Sequence, residues 1–155
     1  GIRLVTIRSG VVVRSLLGAP LIGQLSYPTA LTPFKLGLGG PLGNGKSFFP
    51  WISLDDLVKI YEQAVLNSDM SGAYNAVAPQ EITNSDFTKA LGRVLNRPAF
   101  FPVPSFLLYL MFGKEKAQQT ALASQRVIPQ RLVYEGFEFL HPEIDSALHA
   151  MLKNS

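Results

Sequence analysis

The chain has 155 residues, 47% hydrophobic and 16% charged, with no cysteine and a formal net charge of +3. Such a length holds one hydrophobic core with room for a small subdomain, and the composition excludes a disordered chain. The missing cysteines exclude a disulfide framework, thiolate chemistry and a cysteine-ligated metal.

Ile2-Arg3-Leu4-Val5-Thr6-Ile7-Arg8, followed by Gly10-Val11-Val12-Val13, is dense in β-branched residues and predicts a strand buried inside a sheet. Residue 1 is glycine, and an internal strand this near the start needs sheet neighbours from elsewhere. The chain therefore reads as a fragment or a processed product. Leu16 to Leu31 is apolar but broken by Gly18, Pro20, Gly23 and Pro28, which predicts an irregular excursion or a poor helix.

Gly40-Pro41-Leu42-Gly43-Asn44-Gly45-Lys46-Ser47 spells the phosphate-binding string G-x-x-x-x-G-K-S. Such a loop works by delivering a strand into a helix N-terminus, whose free amides wrap the phosphates. Here Pro33, Gly37 and Gly39 make a poor strand upstream, and Pro50 follows four residues after the lysine. The better reading is a glycine-rich loop before a short apolar strand at Phe48 to Ile52.

Ser53-Leu54-Asp55-Asp56 predicts a helix start, with serine at the N-cap and acids where the helix dipole favours them. Leu57, Ile60, Tyr61, Ala64 and Val65 recur at helical spacing and predict one inward face. The helix ends within Asn67 to Gly72, and Ala73 to Ala78 reads as a strand, completing a unit of βαβ size. Thr83-Asn84-Ser85-Asp86 opens a second helix as a variant capping box, with Phe87, Leu91, Val94 and Leu95 inward and Arg97-Pro98 closing it.

Phe100 to Pro104 is a stiff connector. Ser105 to Phe112 is apolar all round, but eight residues cannot span a bilayer, which needs about twenty. Lys114 to Ser124 and the stretch after Pro129 read as helices, the latter with Leu132 and Val133 inward. Gly136 to Phe139 reads as an edge strand, and Pro142 as the first residue of a final helix carrying Ile144, Leu148 and Leu152.

The chemistry is defined as much by what is missing. No G-x-G-x-x-G follows a strand, because Leu42 stands where the third glycine after Gly37 and Gly39 belongs. No tyrosine has a lysine four residues on, so a Tyr-x-x-x-Lys proton-transfer pair is absent. Gly-x-Ser-x-Gly is absent too. His141 and His149 have no third ligand beside them, so no metal site is expected.

Charge is uneven. Residues 1–54 carry five basic side chains and no acidic one, while the other nine basic and eleven acidic residues leave the remainder two charges negative. That excess suits an anionic ligand or merely scattered surface cations. The arginines neither cluster nor alternate with exposed aromatics, so no nucleic-acid partner is expected. Asp55, Trp51 and Arg126 remain as candidates to line a cleft. The alternatives are a first-turn acid, a core aromatic and an ion-paired surface arginine.

Several blocks taken together carry a resemblance. They are Pro33 to Lys46 with Trp51-Ile52-Ser53-Leu54-Asp55-Asp56-Leu57; Tyr74-Asn75-Ala76-Val77-Ala78-Pro79; Thr83 to Arg93; Pro98-Ala99-Phe100 with Pro102-Val103-Pro104; and Ser124-Gln125-Arg126-Val127-Ile128-Pro129. In this order, over about residues 33–150, they resemble the C-terminal half of the epimerase-like, atypical extended short-chain dehydrogenase/reductases. Bacterial members are often labelled cell-division inhibitor homologues, and the last third resembles the small C-terminal domain of unknown function that marks the family.

The resemblance implies an α/β fold: late strands of a Rossmann-type parallel sheet in residues 1–80 and a small, mostly helical substrate-side domain in 81–155. It implies an oxidoreductase parent that binds NADP or NAD chiefly through a half preceding Gly1, so no catalytic residue is assigned within the chain. Ser9, Gly10 and Val11 would lie near the nicotinamide. Trp51, Asp55 and Arg126 would border a small-molecule substrate. The preceding half, or a partner protein, would complete the molecule.

Two features depart from the family pattern: Arg14 to Thr32 is longer than the usual glycine-rich stretch, and Ser53 replaces the usual histidine. Rival readings are a protein-interaction module using Phe100 to Phe112, and a P-loop nucleotide-binding protein. No membrane span is expected, and the compartment is expected to be cytosolic or mitochondrial.

Overall fold

Strand β1 (Val5–Ser9) lies parallel to β4 (Gly72–Ala76), with Val5 opposite Gly72 and Ser9 opposite Ala76. One residue later the same stretch of chain forms β2 (Val11–Val12), parallel to β3 (Trp51–Ile52). In this computed structural model the described residues are 1–13, 39–99 and 125–153. The readings for residues 16–31, 100–112 and 114–124 lie outside them.

Between β3 and β4 runs α1 (Leu54–Leu66), which starts as expected at Ser53, whose hydroxyl accepts the Asp56 amide. Its buried face is Asp56, Ile60 and Ala64, with Leu57 partly buried. Tyr61 and Val65, expected inward, are exposed. The i, i+4, i+8 row that begins at Asp56 is the one turned to the sheet, and Tyr61 and Val65 fall one position beyond it.

The last turn of α1 contains no basic residue. Arg3 supplies the missing charge from the lead into β1: its guanidinium donates to the carbonyls of Ala64 and Met70, both at 2.9 Å. A cation at a helix C-terminus opposes the partial negative charge of the unpaired carbonyls.

Helix α2 (Asn84–Leu95) has the capping box read from its sequence: the Thr83 hydroxyl accepts the Asp86 amide and the Asp86 carboxylate accepts the Thr83 amide. Asn96 at φ 51° ends it in the left-handed conformation. Phe87 and Leu91 are buried and Val94 and Leu95 partly so, as expected.

Helix α3 (Gln130–Tyr134) packs on β4 through buried Leu132, whereas Val133, expected inward, is exposed. Arg131 lies 4.0 Å from the centre of the Tyr74 ring and donates to its hydroxyl, which in turn donates to Glu135. Burial and the neighbouring Glu135 push the Tyr74 phenol above its ordinary value.

Residues 137–139 are not a strand. Their backbone bonds go elsewhere: the Phe137 amide to Leu132, and the next two amides, Leu140 and His141, to the Asp56 carboxylate. The final helix, α4 (Ile144–Lys153), begins two residues after Pro142, with Ile144, Ala147, Leu148 and Met151 buried. Its Ile144 amide is capped by the Gln80 side chain at 2.7 Å.

Two apolar clusters result. One joins Ile52, Ile60, Met70, Tyr74, Leu132 and Phe137 beneath the β1–β4 pair, and the other joins Val13, Trp51, Ile82, Leu91, Ile144 and Leu148 between α2 and α4. Val5 and Ile7 face the first cluster, leaving Leu4, Thr6 and Arg8 exposed on the other side of the strand.

The capping box sets a pH dependence. Hydrogen bonds from the Thr83 side chain and then its amide hold Asp86 below the usual carboxylate value. A depressed folded pKa contributes stability that is present above the unfolded value of about 4 and is lost as pH falls through the folded value. Unfolding free energy should therefore decline below about pH 4, less steeply in Asp86→Asn, while Thr83→Ala should lose about 1 kcal/mol at neutral pH. Urea titrations across pH measure both.

Candidate functional site

The junction between the two strand pairs is set by two consecutive amides. Gly10 donates to the Ala76 carbonyl at 3.0 Å, and Val11 donates to the Pro50 carbonyl at 2.8 Å. A Cβ on Gly10 would stand 2.8 Å from the Pro50 oxygen and 2.9 Å from a Val77 methyl, so only glycine fits. Beyond the junction Val11 is in register with Trp51, and the Trp51 carbonyl accepts the Ala78 amide. Three segments of chain thus converge where parallel strands end, the position at which α/β folds place ligands.

Trp51 is 1% exposed and belongs to the α2–α4 core. Its indole N–H donates to the Gln80 carbonyl at 3.2 Å. Against it lies a cavity of about 10 Å³, lined by Phe48, Pro50, Gln80, Glu81, Gln125 and Val127 among others. That is room for about one water molecule.

Arg126 stands beside this cavity between two of its lining residues. It grips Glu81 through Nε–Oε2 at 2.5 Å and Nη2–Oε1 at 3.1 Å, and its guanidinium carbon is 5.9 Å from the centre of the Phe48 ring. The hydrogen bond from Arg126, with its charge, holds the Glu81 carboxyl below its ordinary value, and Glu81 raises the guanidinium pKa in return.

Asp55 is set apart from these groups. Its side chain is 59% exposed and pairs with His141 Nε2 at 3.4 Å, at the start of α1. The structure thus brings Trp51 and the Arg126 segment together, while Asp55 does not line that cavity. Ser9 is exposed at the end of β1, and Gly10 and Val11 are half-buried in the junction. The Gly40 to Ser47 string is a turn with positive φ at Gly43 and Gly45; Lys46 is exposed, and the chain runs on to β3. It opens no helix, so the amide cradle of a P-loop is not formed. Among the described residues no cluster of three or more potential metal ligands occurs.

Three polar residues that matter here were not singled out by sequence. Gln80 ties Trp51 to α4 by accepting from both the indole and the Ile144 amide. Glu81 is the partner of Arg126. Asp56, read as a first-turn acid, is fully buried and accepts from the Ser53 hydroxyl at 2.7 Å, the Leu140 amide at 2.6 Å and the His141 amide at 3.1 Å. The Ser53-x-x-Asp56 spacing announces a cap; nothing in the sequence announces a partner 84 residues away.

Comparison with known proteins followed the same outline. A domain family described as a domain of unknown function, DUF1731, matches residues 103–151. The chain is 42% identical over 146 residues to human epimerase family protein SDR39U1, covering 94% of the chain and 47% of that protein. It is 35% identical over 152 residues to the Arabidopsis thaliana homologue named as chloroplastic, covering 98% of the chain and 41% of that protein. The crystal structure of human SDR39U1 (isoform 2) with NADPH superposes with a TM-score of 0.85 at 40% identity, over 99% of this chain and 49% of that one. The chain spans about half the length of these relatives, and its parallel strands and helices have the Rossmann-type arrangement of that structure.

Asp56→Ala should lower stability by about 3 kcal/mol, because a buried hydroxyl and two amides lose their acceptor. Asp56→Asn should recover part of the loss, and Asp55→Ala should leave the denaturation midpoint near that of the parent. Urea unfolding of the three variants checks this ordering.

Proposed function

The chain is related to the epimerase family proteins along the half of their length that it spans, and on that premise we propose that it is the C-terminal, substrate-side portion of an NADP(H)- or NAD(H)-dependent epimerase-like oxidoreductase. Residues 1–80 carry late strands of the Rossmann-type unit in this reading, and residues 81–155 the substrate-side unit, with Leu132 and Phe137 returning beneath the sheet. Ser9, Gly10 and Val11 run past the nicotinamide end of the cofactor. Trp51, Asp55 and Arg126 border a small-molecule substrate. The compartment is cytosolic or organellar; among the described residues no helix is long and apolar enough to cross a membrane.

The observation that carries this reading is the parallel register of Val11 with Trp51. It makes the segment assigned to the cofactor and the segment assigned to the substrate hydrogen-bonded neighbours at the carboxyl ends of strands. The fit to a dinucleotide is partial. The space beside Gly10 is filled by Pro50 and Val77, and the described residues contain no glycine turn leading into a helix that would cradle a pyrophosphate. The chain therefore contributes a strand edge to the cofactor, and the phosphate-binding part comes from the rest of the molecule. Ile2 and Leu4, 100% and 71% exposed, and the exposed Thr6 and Arg8 mark the side of β1 against which that part packs.

The test is NADPH fluorescence with the 155-residue chain alone and with the same chain joined to the preceding half of human SDR39U1. The joined protein should bind NADPH and the chain alone should show no saturable binding. Saturable binding and turnover by the chain alone would overturn the proposal.

A further inference from the structure

The Arg126–Glu81 pair closes the side of the Trp51 cavity, and its geometry assigns a role to Glu81. We propose that Glu81 stands in for the substrate's anion, holding Arg126 in a bidentate grip until a phosphate-type dianion displaces it. The inference rests on the reading of Arg126 as a substrate contact and adds to it a substrate class and a residue that selects for that class.

Three observations support it. Both oxygens of Glu81 face the Nε and Nη2 edge of the guanidinium, the edge with which arginine binds phosphate oxygens in parallel. The pair is accessible, with side chains 67% and 30% exposed for Arg126 and Glu81, so an exchange of anions requires little desolvation. The Phe48 ring beside the guanidinium and the chain at Gln125 and Val127 hold the arginine at the cavity edge rather than in open solvent.

The selection follows from charge. Glu81 is tethered and is always present at high local concentration. A free monocarboxylate offers the same two oxygens and the same single charge, so it loses to the tethered group. A dianion with oxygens at similar spacing gains a second unit of attraction and wins. Glu81 thereby excludes carboxylates from the arginine while admitting phosphate esters and diphosphates.

The experiment follows the ¹⁵N Nε resonance of Arg126 in the 155-residue chain during titration with pyrophosphate and, separately, with acetate. Thermal midpoints confirm that each variant is folded. The parent should bind pyrophosphate but not acetate. Glu81→Gln should tighten pyrophosphate at least five-fold and admit acetate, and Arg126→Gln, followed by calorimetry, should abolish binding. If Arg126→Gln abolishes binding while Glu81→Gln leaves the parent affinities unchanged, the role of Glu81 is overturned and Arg126 as an anion contact survives. If the parent does not bind pyrophosphate, or Arg126→Gln binds it as the parent does, both fall.

Discussion

Two adjacent amides, those of Gly10 and Val11, divide one strand between two partners. Along an extended chain successive N–H groups alternate in direction, so the Gly10 amide reaches Ala76 and the Val11 amide reaches Pro50. The first bond fixes the end of the β1–β4 pair and the second fixes the start of the β2–β3 pair. Neither is possible unless the Pro50 carbonyl and the Val77 side chain approach to within about 3 Å of where a Cβ would stand, which requires glycine. Every candidate site residue is referred to this crossing: Ser9, Gly10 and Val11 form it, Trp51 pairs with it, and Asp55 begins the helix that leaves it.

A second set of ties is polar and long in sequence. Asp56 holds the chain at Leu140 and His141, Gln80 caps α4, Arg131 reaches the Ser71 and Ala73 carbonyls, and Arg126 reaches Glu81. Each joins the chain after residue 125 to the segment from Asp56 to Glu81. The buried member, Asp56, has each acceptor oxygen matched to a donor, and no buried side-chain polar atom among the described residues lacks a partner. That is the condition under which polar groups inside a fold specify one arrangement rather than weaken it.

Local features were legible in the sequence because their causes are local. Ser53 and Thr83 cap their helices through residues three positions on, and Phe87 and Leu91 face inward as their spacing requires. The faces of α1 and α3 were read one position too wide, since Tyr61, Val65 and Val133 are apolar but lie outside the buried row. Gly136 to Phe139 has the alternation of a strand, yet its neighbours' amides are taken by a helix and by a carboxylate rather than by another strand. Blocks around Trp51, Tyr74, Thr83 and Arg126 carried the family resemblance. The pairing of Arg126 with Glu81 depends on tertiary contact across 45 residues and left no mark in spacing.

The account depends most directly on the crossing at Gly10, and native-state hydrogen exchange of Gly10→Ala examines it. Forcing a methyl into that space should cost about 1–3 kcal/mol, equivalent to a ten- to hundred-fold loss of protection. The account predicts that the amides of residue 10, Val11 and Ala78 lose protection together, because their acceptors, Ala76, Pro50 and Trp51, are held by one junction. Loss confined to residue 10, with Val11 and Ala78 protected as in the parent, would contradict it.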